Sequence, residues 1–486
     1  MGNQGEMGGG SRMSEEHEIR TTQPTLACVS RPGYALRATP HPTPYSLLRT
    51  PYSLLLIPYS LLPTPYFLLL TPVLFTLIAF AQLALVEDGR LGLRWFIPAG
   101  VLVLCIGLAA WALRRWRPGH DPLLLPLTGM LCGVGLAEVA RLAPPMFLTR
   151  QMIWLGLGTL ALLAVTLIPR DLRWLRRYRY TWLLAGLALL ATTLVLGVNP
   201  SGIGQRLWLG IGEIYFQPSE LLKLLLLVFL ASYLEYRREA LLEVEARIGR
   251  WQVPHPAYLG PMLLMWGFSM VLLIWQRDLG AALLFFGVFL AMLYAATGQG
   301  RYVLTGLGLL LVGSLAGYRL FSHVALRIDI WWNPWAEAAG RAFQIVQSLL
   351  AFASGGVLGQ GLDQGLPTAI PVVHTDFVFA AIGEEYGLMG ALAVIACFAL
   401  LVGRAFHIAL RAGRPFDQLL AAGIGALLGL QSLAIMAGTL KLMPLTGVTL
   451  PFVSYGGSSL LTSMIMVGLL LHISGRYGVN KGEMNG

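Results

Sequence analysis

The sequence predicts an all-α protein, a polytopic bundle of about twelve transmembrane helices with both termini cytoplasmic, and three observations carry that expectation. Hydrophobic residues make up 56% of the 486-residue chain and charged residues only 12%, against roughly a quarter charged in a soluble protein. Apolar stretches near the ~20 residues needed to cross a bilayer recur along the chain. The basic residues gather in short loops between those stretches, the distribution that orients helices in a membrane. A formal net charge of +10 therefore calls for no nucleic-acid partner. Cys28, Cys105, Cys132 and Cys397 are scattered, without CxxC spacing or a His cluster. They read as small core residues, not as a metal site or a disulfide framework.

Residues 1–43 are rich in Gly, Ser, Thr, Pro and charge and read as disordered. A seven-residue repeat follows: Pro44-Tyr45-Ser46-Leu47-Leu48, again from Pro51 and from Pro58, ending at Pro65-Tyr66. A proline in every repeat forbids a continuous helix. With no basic segment directly before it and no small-residue cleavage site after it, the repeat is not a signal peptide either. Residues 1–67 are thus expected to be low-complexity sequence without a catalytic role.

From about residue 68, spans are expected near positions 78, 104, 131, 157, 189, 227, 266, 289, 311, 390, 428 and 465. Two fall in 68–118 and ten in the core, 119–486. Arg114, Arg115 and Arg117 share a side with Arg170, Arg173, Arg176, Arg177 and Arg179. Alternation adds Arg237, Arg238, Arg247, Arg250, Arg301, Arg404, Arg411, Arg414 and Lys481 to that side. The opposite, outer loops are 198–217, a large one at about 321–375, and 440–455. Loops so long and polar tend to be functional, so any chemistry is expected to face outward.

Several groups on that side can carry chemistry. Arg206, beside Trp208, suits a phosphate or a headgroup anchor. Glu220 and Lys223 follow the helix-starting Pro218 and share a face. They form either a structural ion pair or part of a polar cavity. Asp278 is a candidate site carboxylate, or else the cap of the next helix. Glu337, in Trp335-Ala336-Glu337-Ala338-Ala339-Gly340-Arg341, is a candidate general base or a solvated loop acid. Asp376 is expected to open a span in which Glu384 and Glu385 lie deeper. Two adjacent acids there call for a partner. In Pro451-Phe452-Val453-Ser454-Tyr455-Gly456-Gly457-Ser458-Ser459 the backbone must be irregular at membrane depth. Its Gly456, Gly457 and Ser458 amides would cradle an anion or permit close helix packing.

Taken together, Arg206-Leu207-Trp208, Gln217-Pro218-Ser219-Glu220-Leu221-Leu222-Lys223, Asp278-Leu279-Gly280, His374-Thr375-Asp376-Phe377-Val378-Phe379-Ala380 and Pro451–Ser459 resemble one motif set. It is that of the shape, elongation, division and sporulation (SEDS) family, the FtsW/RodA/SpoVE type of peptidoglycan glycosyltransferase, in the family's order over about residues 122–475. The resemblance implies a multi-pass protein of the bacterial cytoplasmic membrane that polymerises lipid II on its outer face and releases undecaprenyl diphosphate. A class B penicillin-binding transpeptidase and other cell-wall synthesis membrane proteins are the implied partners. No cofactor is implied with certainty; a divalent cation is left open. Glu337 would be the catalytic base. Arg206, Glu220, Lys223, Asp278, Gln344, His374, Asp376, Ser454, Gly456, Gly457 and Ser458 would contact substrate, with Arg206 and Lys223 at the diphosphate.

The chain departs from the family pattern around the base. The family's Asp-Pro aligns with Glu337-Ala338, one glycine with Ala342 and a tyrosine with Phe343. Glutamate keeps the charge, but its extra methylene displaces the carboxylate by about 1 Å, and misplacement on that scale can cost about 100-fold. An Asn and a Gly near the C-terminus are replaced by Met436 and Lys441. Two other functions therefore stand beside the polymerase: a non-catalytic scaffold that binds lipid II or activates a transpeptidase, and a lipid II flippase using the intramembrane acids.

Overall fold

A computed structural model describes residues 65–168, 171–199, 206–211, 214–242, 246–248, 251–253 and 256–483. The expected disordered start, most of the Pro-Tyr repeat, Arg170 and Arg250 lie outside the described residues, as do 200–205.

The described residues are mostly helical, with two antiparallel pairs of three-residue strands, Leu209–Ile211 with Ile214–Phe216 and Ala246–Ile248 with Trp251–Val253. The long helices are α1 (Leu70–Asp88), α2 (Ile97–Trp116), α3 (Leu124–Leu142), α4 (Pro145–Leu167), α5 (Arg179–Leu196), α6 (Pro218–Leu242), α7 (Pro256–Trp275), α8 (Leu279–Thr297) and α9 (Gly300–Leu320). Then come α10 (Ser322–Trp332), α11 (Phe343–Gly355), α12 (Val378–Glu385), α13 (Gly387–Arg411), α14 (Pro415–Thr439) and α15 (Gly457–Glu483). Among the described residues, ten helices are long and apolar enough to cross a membrane. Two more, α6 and α7, occupy the positions expected for the remaining spans. In α6 the apolar run carries Glu220, Lys223 and Glu235.

Two expectations change. The long connection after α9 is not an open loop: α10, α11 and short helical turns at 334–337, 367–369 and 373–376 fill it. The span expected to run on from Asp376 is broken twice, at the non-helical Phe377 and again at the non-helical Tyr386. Gly387 sits at φ +67°, and an added Cβ there would lie 2.3 Å from the Gly359 amide nitrogen. Glu384 and Glu385 therefore end a short buried helix instead of lying midway along a span. Each has a partner: Glu384 accepts from the Leu366 amide at 2.9 Å, and Glu385 pairs with Arg141 at 3.1 Å.

Small residues make α3 the hub of the N-terminal half. A Cβ at Gly129 would meet Ile106 of α2 at 2.7 Å, and one at Gly133 would meet the Thr76 hydroxyl of α1 at 2.3 Å. That small-xxx-small spacing lets helices approach closely in a membrane. On another face, Gly135 lies against the Phe452 and Val453 backbone, so the same helix seats the irregular 440–456 segment. At the periphery, α9 packs on α8 and α10 and buries only Gly306.

The basic loops meet at one end of this bundle. Arg117 donates to the Ile168 carbonyl at 2.8 Å, Arg176 pairs with Glu235 at 3.1 Å, and Asp171 pairs with Arg414 and, at 2.7 Å, with Arg476. The beginnings of α6 and α8, the 440–456 segment and the start of α15 meet at the opposite end.

Candidate functional site

At that opposite end charged groups accumulate inside the protein. Pro218 starts α6 and sets Glu220 and Lys223 one turn apart, where they form an ion pair of 2.6 Å with side chains 10% and 3% exposed. The Lys223 ammonium also donates to Gln431 Oε1 at 2.9 Å, and Gln431 Nε2 donates to the Thr449 carbonyl at 2.8 Å. Asp278 caps α8, accepting from the Ala281 amide at 3.1 Å. It lies within the electrostatic reach of Lys223 and Glu220, and burial raises its carboxyl above the ordinary aspartate range. Behind it, Gly280 approaches the Thr446 carbonyl so closely that a Cβ would sit at 2.3 Å.

One basic residue of this cluster went unnoticed in the sequence. Arg327, in the middle of α10, donates to the Leu445 and Thr446 carbonyls at 3.0 and 3.1 Å. The Asp278 and Asp376 carboxylates both act on it. Its neighbours in sequence, Leu326 and Ile328, gave no motif. An arginine in an apolar turn four residues before Trp331, which also reaches this segment through the Lys441 carbonyl at 3.0 Å, was the available signal. Burial pushes the Asp376 carboxyl up to about 6, against which its hydrogen bond with Thr375 and the Arg327 charge work.

Around this centre the remaining candidates divide. The Ser454 hydroxyl donates to the Thr375 carbonyl and accepts from the Leu450 amide, which ties the irregular segment to the Asp376 turn. His374 packs its ring on Phe147 and Tyr455, at 5.3 and 5.9 Å, and burial lowers its pKa. Gln344 donates to the Pro371 carbonyl at 3.1 Å. In the Gly456–Ser458 turn the Gly456 amide faces Gln151 Oε1 at 3.5 Å, and the Ser458 hydroxyl accepts from the Gln217 amide at 2.9 Å. A Cβ at Gly457 would fall 2.1 Å from the Trp154 indole nitrogen. Close packing, one of the two uses expected for these glycines, is present at Gly457. Arg206 is exposed, next to the bridge between Val198 and Trp208.

Glu337 is not brought into the buried cluster. It lines a hollow of about 460 Å³ with Asp329, Trp332 and Arg341. Asp329 points from the side of α10 opposite Arg327, two residues and about 200° around a helix of 3.6 residues per turn. Arg341 holds the Glu337 carboxylate with both nitrogens of its fork. That hydrogen bonding keeps the carboxyl below its ordinary pKa. Among the described residues no three His, Cys, Asp or Glu side chains converge as a metal-binding group.

A helical bundle with basic loops at one end and a partly buried ionic cluster at the other defines a multi-pass membrane protein built around a polar site. A family model described as "Cell cycle protein", that of FtsW, RodA and SpoVE, matches residues 134–477, and the chain belongs to this family. It is 37% identical over 411 residues to the peptidoglycan glycosyltransferase RodA of Mycobacterium tuberculosis, covering 82% of this chain and 87% of the relative. It is 39% identical over 337 residues to the probable peptidoglycan glycosyltransferase FtsW of Geobacter sulfurreducens, covering 68% and 86%. Among solved structures, a chain of a peptidoglycan synthase complex that coordinates polymerization and crosslinking is 31% identical, with a TM-score of 0.62 over 74% of this chain and 98% of that one. The rod shape determining protein RodA of Thermus thermophilus is 29% identical, with a TM-score of 0.53 over 73% and 96%.

Proposed function

We propose that this protein is a peptidoglycan glycosyltransferase that polymerises lipid II at the outer face of the cytoplasmic membrane, in cell shape or division, together with a class B penicillin-binding transpeptidase. The observation that carries this reading is the cluster of buried Glu220 and Lys223 with half-buried Asp278, Arg327 and Asp376 at the end away from the arginine loops. By the positive-inside rule that end is the outer one. Ionisable groups at membrane depth are costly and face a functional cavity far more often than lipid.

Glycan polymerisation needs a base at the acceptor sugar hydroxyl and positive charge at the departing undecaprenyl diphosphate. The hydroxyl oxygen bonds to the donor's anomeric carbon, the bond to the diphosphate oxygen breaks, and the base takes the proton. Lys223 and Arg327, with exposed Arg206, are the cations for the diphosphate. Glu337 is the base: it is ionised, solvent-accessible and opens on a hollow. Its bond with Arg341 weakens it as a base while fixing its orientation. Should a divalent cation take part, Glu337 and Asp329 are the acids nearest the hollow.

The test is lipid II polymerisation by purified protein with its transpeptidase. Glu337→Ala is expected to lose about 10²–10⁴-fold, the usual contribution of a general base, and Glu337→Asp to keep or raise activity. Equal activity in wild type and Glu337→Ala refutes Glu337 as the base and transfers the role to Asp376 or Asp278. The closed Glu337–Arg341 pair favours a second reading, the scaffold. It requires that wild type make no chains yet still bind lipid II and stimulate the transpeptidase.

A further inference from the structure

The arginines of the basic end do more than sit in loops. Arg173, Arg176, Arg177 and Arg179, from the turn joining α4 to α5, converge with Arg238 at the end of α6 around one hollow of about 990 Å³. Among the described residues the lining holds five guanidinium groups and one carboxylate, Glu235, which Arg176 engages at 3.1 Å, while Arg173 pairs with Asp171 beside the hollow at 2.9 Å. Orientation of the helices requires positive charge in this loop, but it does not require convergence from two separate segments on one cavity.

The cage is also held in place. Arg179 lies 5.2 Å from the Tyr180 ring and 4.7 Å from the Tyr236 ring, and it donates to the Ser232 carbonyl at 3.4 Å. The Ser232 hydroxyl in turn donates to the Arg176 carbonyl at 3.1 Å, which fixes the turn against α6. Guanidinium forks match phosphate oxygens two at a time, and the planar group loses little freedom on binding. Exposed Tyr236 lines the hollow, exposed Trp174, Tyr178 and Tyr180 are chain neighbours of its arginines, and Leu184 is exposed one turn further along α5. Amphipathic rings of this kind lie at headgroup depth, with apolar side chains beyond them among the acyl chains.

We infer that this hollow binds the headgroup of an anionic phospholipid of the inner leaflet, its phosphate within the arginine cage and its chains along the exposed apolar face of α5. Basic pockets between transmembrane helices on the cytoplasmic side recognise such headgroups. The exposed Tyr236 ring in the lining and the exposed apolar face of α5 favour a lipid over a soluble phosphate compound. The site is independent of the chemistry at the other end of the bundle.

Thermal unfolding of the full-length protein in detergent tests the assignment. Short-chain phosphatidylglycerol is added, beside phosphatidylcholine of the same chain length and inorganic phosphate. Phosphatidylglycerol is expected to raise the midpoint by several degrees where the other two do not. Arg177→Gln/Arg238→Gln is expected to weaken the apparent affinity at least tenfold, while Arg115→Gln/Arg411→Gln, basic residues that do not line the hollow, retains it. If the double variant unfolds without lipid, Arg177→Gln alone supplies the comparison, since Arg177 meets only the Tyr178 ring at 5.9 Å among its described contacts, and a threefold loss is expected. Equal loss in the control pair would reduce the effect to diffuse positive charge. An equal shift with inorganic phosphate would assign the hollow to a soluble phosphate ligand, and no preference over phosphatidylcholine would remove the site altogether.

Discussion

At Glu337 one neighbour sets the acidity of the proposed base. The Arg341 fork stabilises the ionised carboxylate and keeps its pKa below the ordinary value. Arg341→Gln removes that stabilisation, so the carboxyl titrates at higher pH. The acid limb of the pH–rate profile is expected to move upward, and turnover at alkaline pH is expected to hold or rise as the base strengthens. A profile unchanged by Arg341→Gln would separate Glu337 from the rate-limiting proton transfer. Asp376 behaves in the opposite sense. Burial lifts it to about 6 from its ordinary 3.8, so between those pH values the folded state binds more protons than the unfolded one. Stability contributed by the neutral carboxyl is complete below about pH 4 and is lost as pH rises through 6, a difference of about 3 kcal/mol at most. Asp376→Asn is expected to flatten this dependence and raise the melting midpoint at pH 7 by a few degrees, as read by thermal unfolding at pH 4, 5, 6 and 7. Retained slope in the variant would assign the titration to another buried acid.

Helices carry these residues, and the pairing inside α6 distinguishes a structural from a functional charge. Lys223→Ala strands Glu220 in the interior, and breaking a buried pair by removing one partner costs about 3–5 kcal/mol. Glu220→Gln/Lys223→Met removes both charges and is expected to recover most of that stability. If Lys223 also holds the diphosphate, the double variant melts like wild type yet polymerises poorly; full activity in a stable double variant would make the pair purely structural. Gly135 offers a second check at this scale. A Cβ there would stand 2.5 Å from the Phe452 carbonyl oxygen, so Gly135→Ala is expected to push the 451–454 backbone and cut activity at least tenfold while the bundle stays assembled. The spacing of Glu220 and Lys223 was legible because a helix of known start fixes which residues share a face. The role of Gly135 was not, since nothing along α3 tells which glycine faces a distant loop. The break before Gly387 escaped notice for a related reason: Phe377 to Phe398 is apolar enough to read as one span, and only the left-handed Gly387 and its contact with Gly359 interrupt it.

Across the whole molecule, apolar length and arginine placement were enough to locate twelve long helices and to predict two chemically distinct ends, because both follow from the bilayer acting as solvent. The site was legible only in part. Its motifs lie in five segments far apart in sequence, and the resemblance grouped them without indicating that Glu337 would fall on the far side of α10 from Arg327. The separation of the two ends makes orientation testable on the intact protein. With Cys28 and the half-buried Cys397 replaced by serine, Leu358→Cys lies in the exposed turn after α11, while Arg411→Cys lies among the basic loops. In intact cells or spheroplasts, a membrane-impermeant maleimide is expected to label Leu358→Cys at once and Arg411→Cys only after permeabilisation. The native Cys105 and Cys132 are buried and give little background. Labelling in the reverse order would turn the ionic cluster toward the cytoplasm, where lipid II polymerisation does not belong, and a flippase or scaffold would then have to account for Lys223, Arg327 and Asp376. Labelling in the expected order leaves those charges facing the compartment in which glycan strands grow, and it places the arginine cage against the inner leaflet, as the proposed lipid requires.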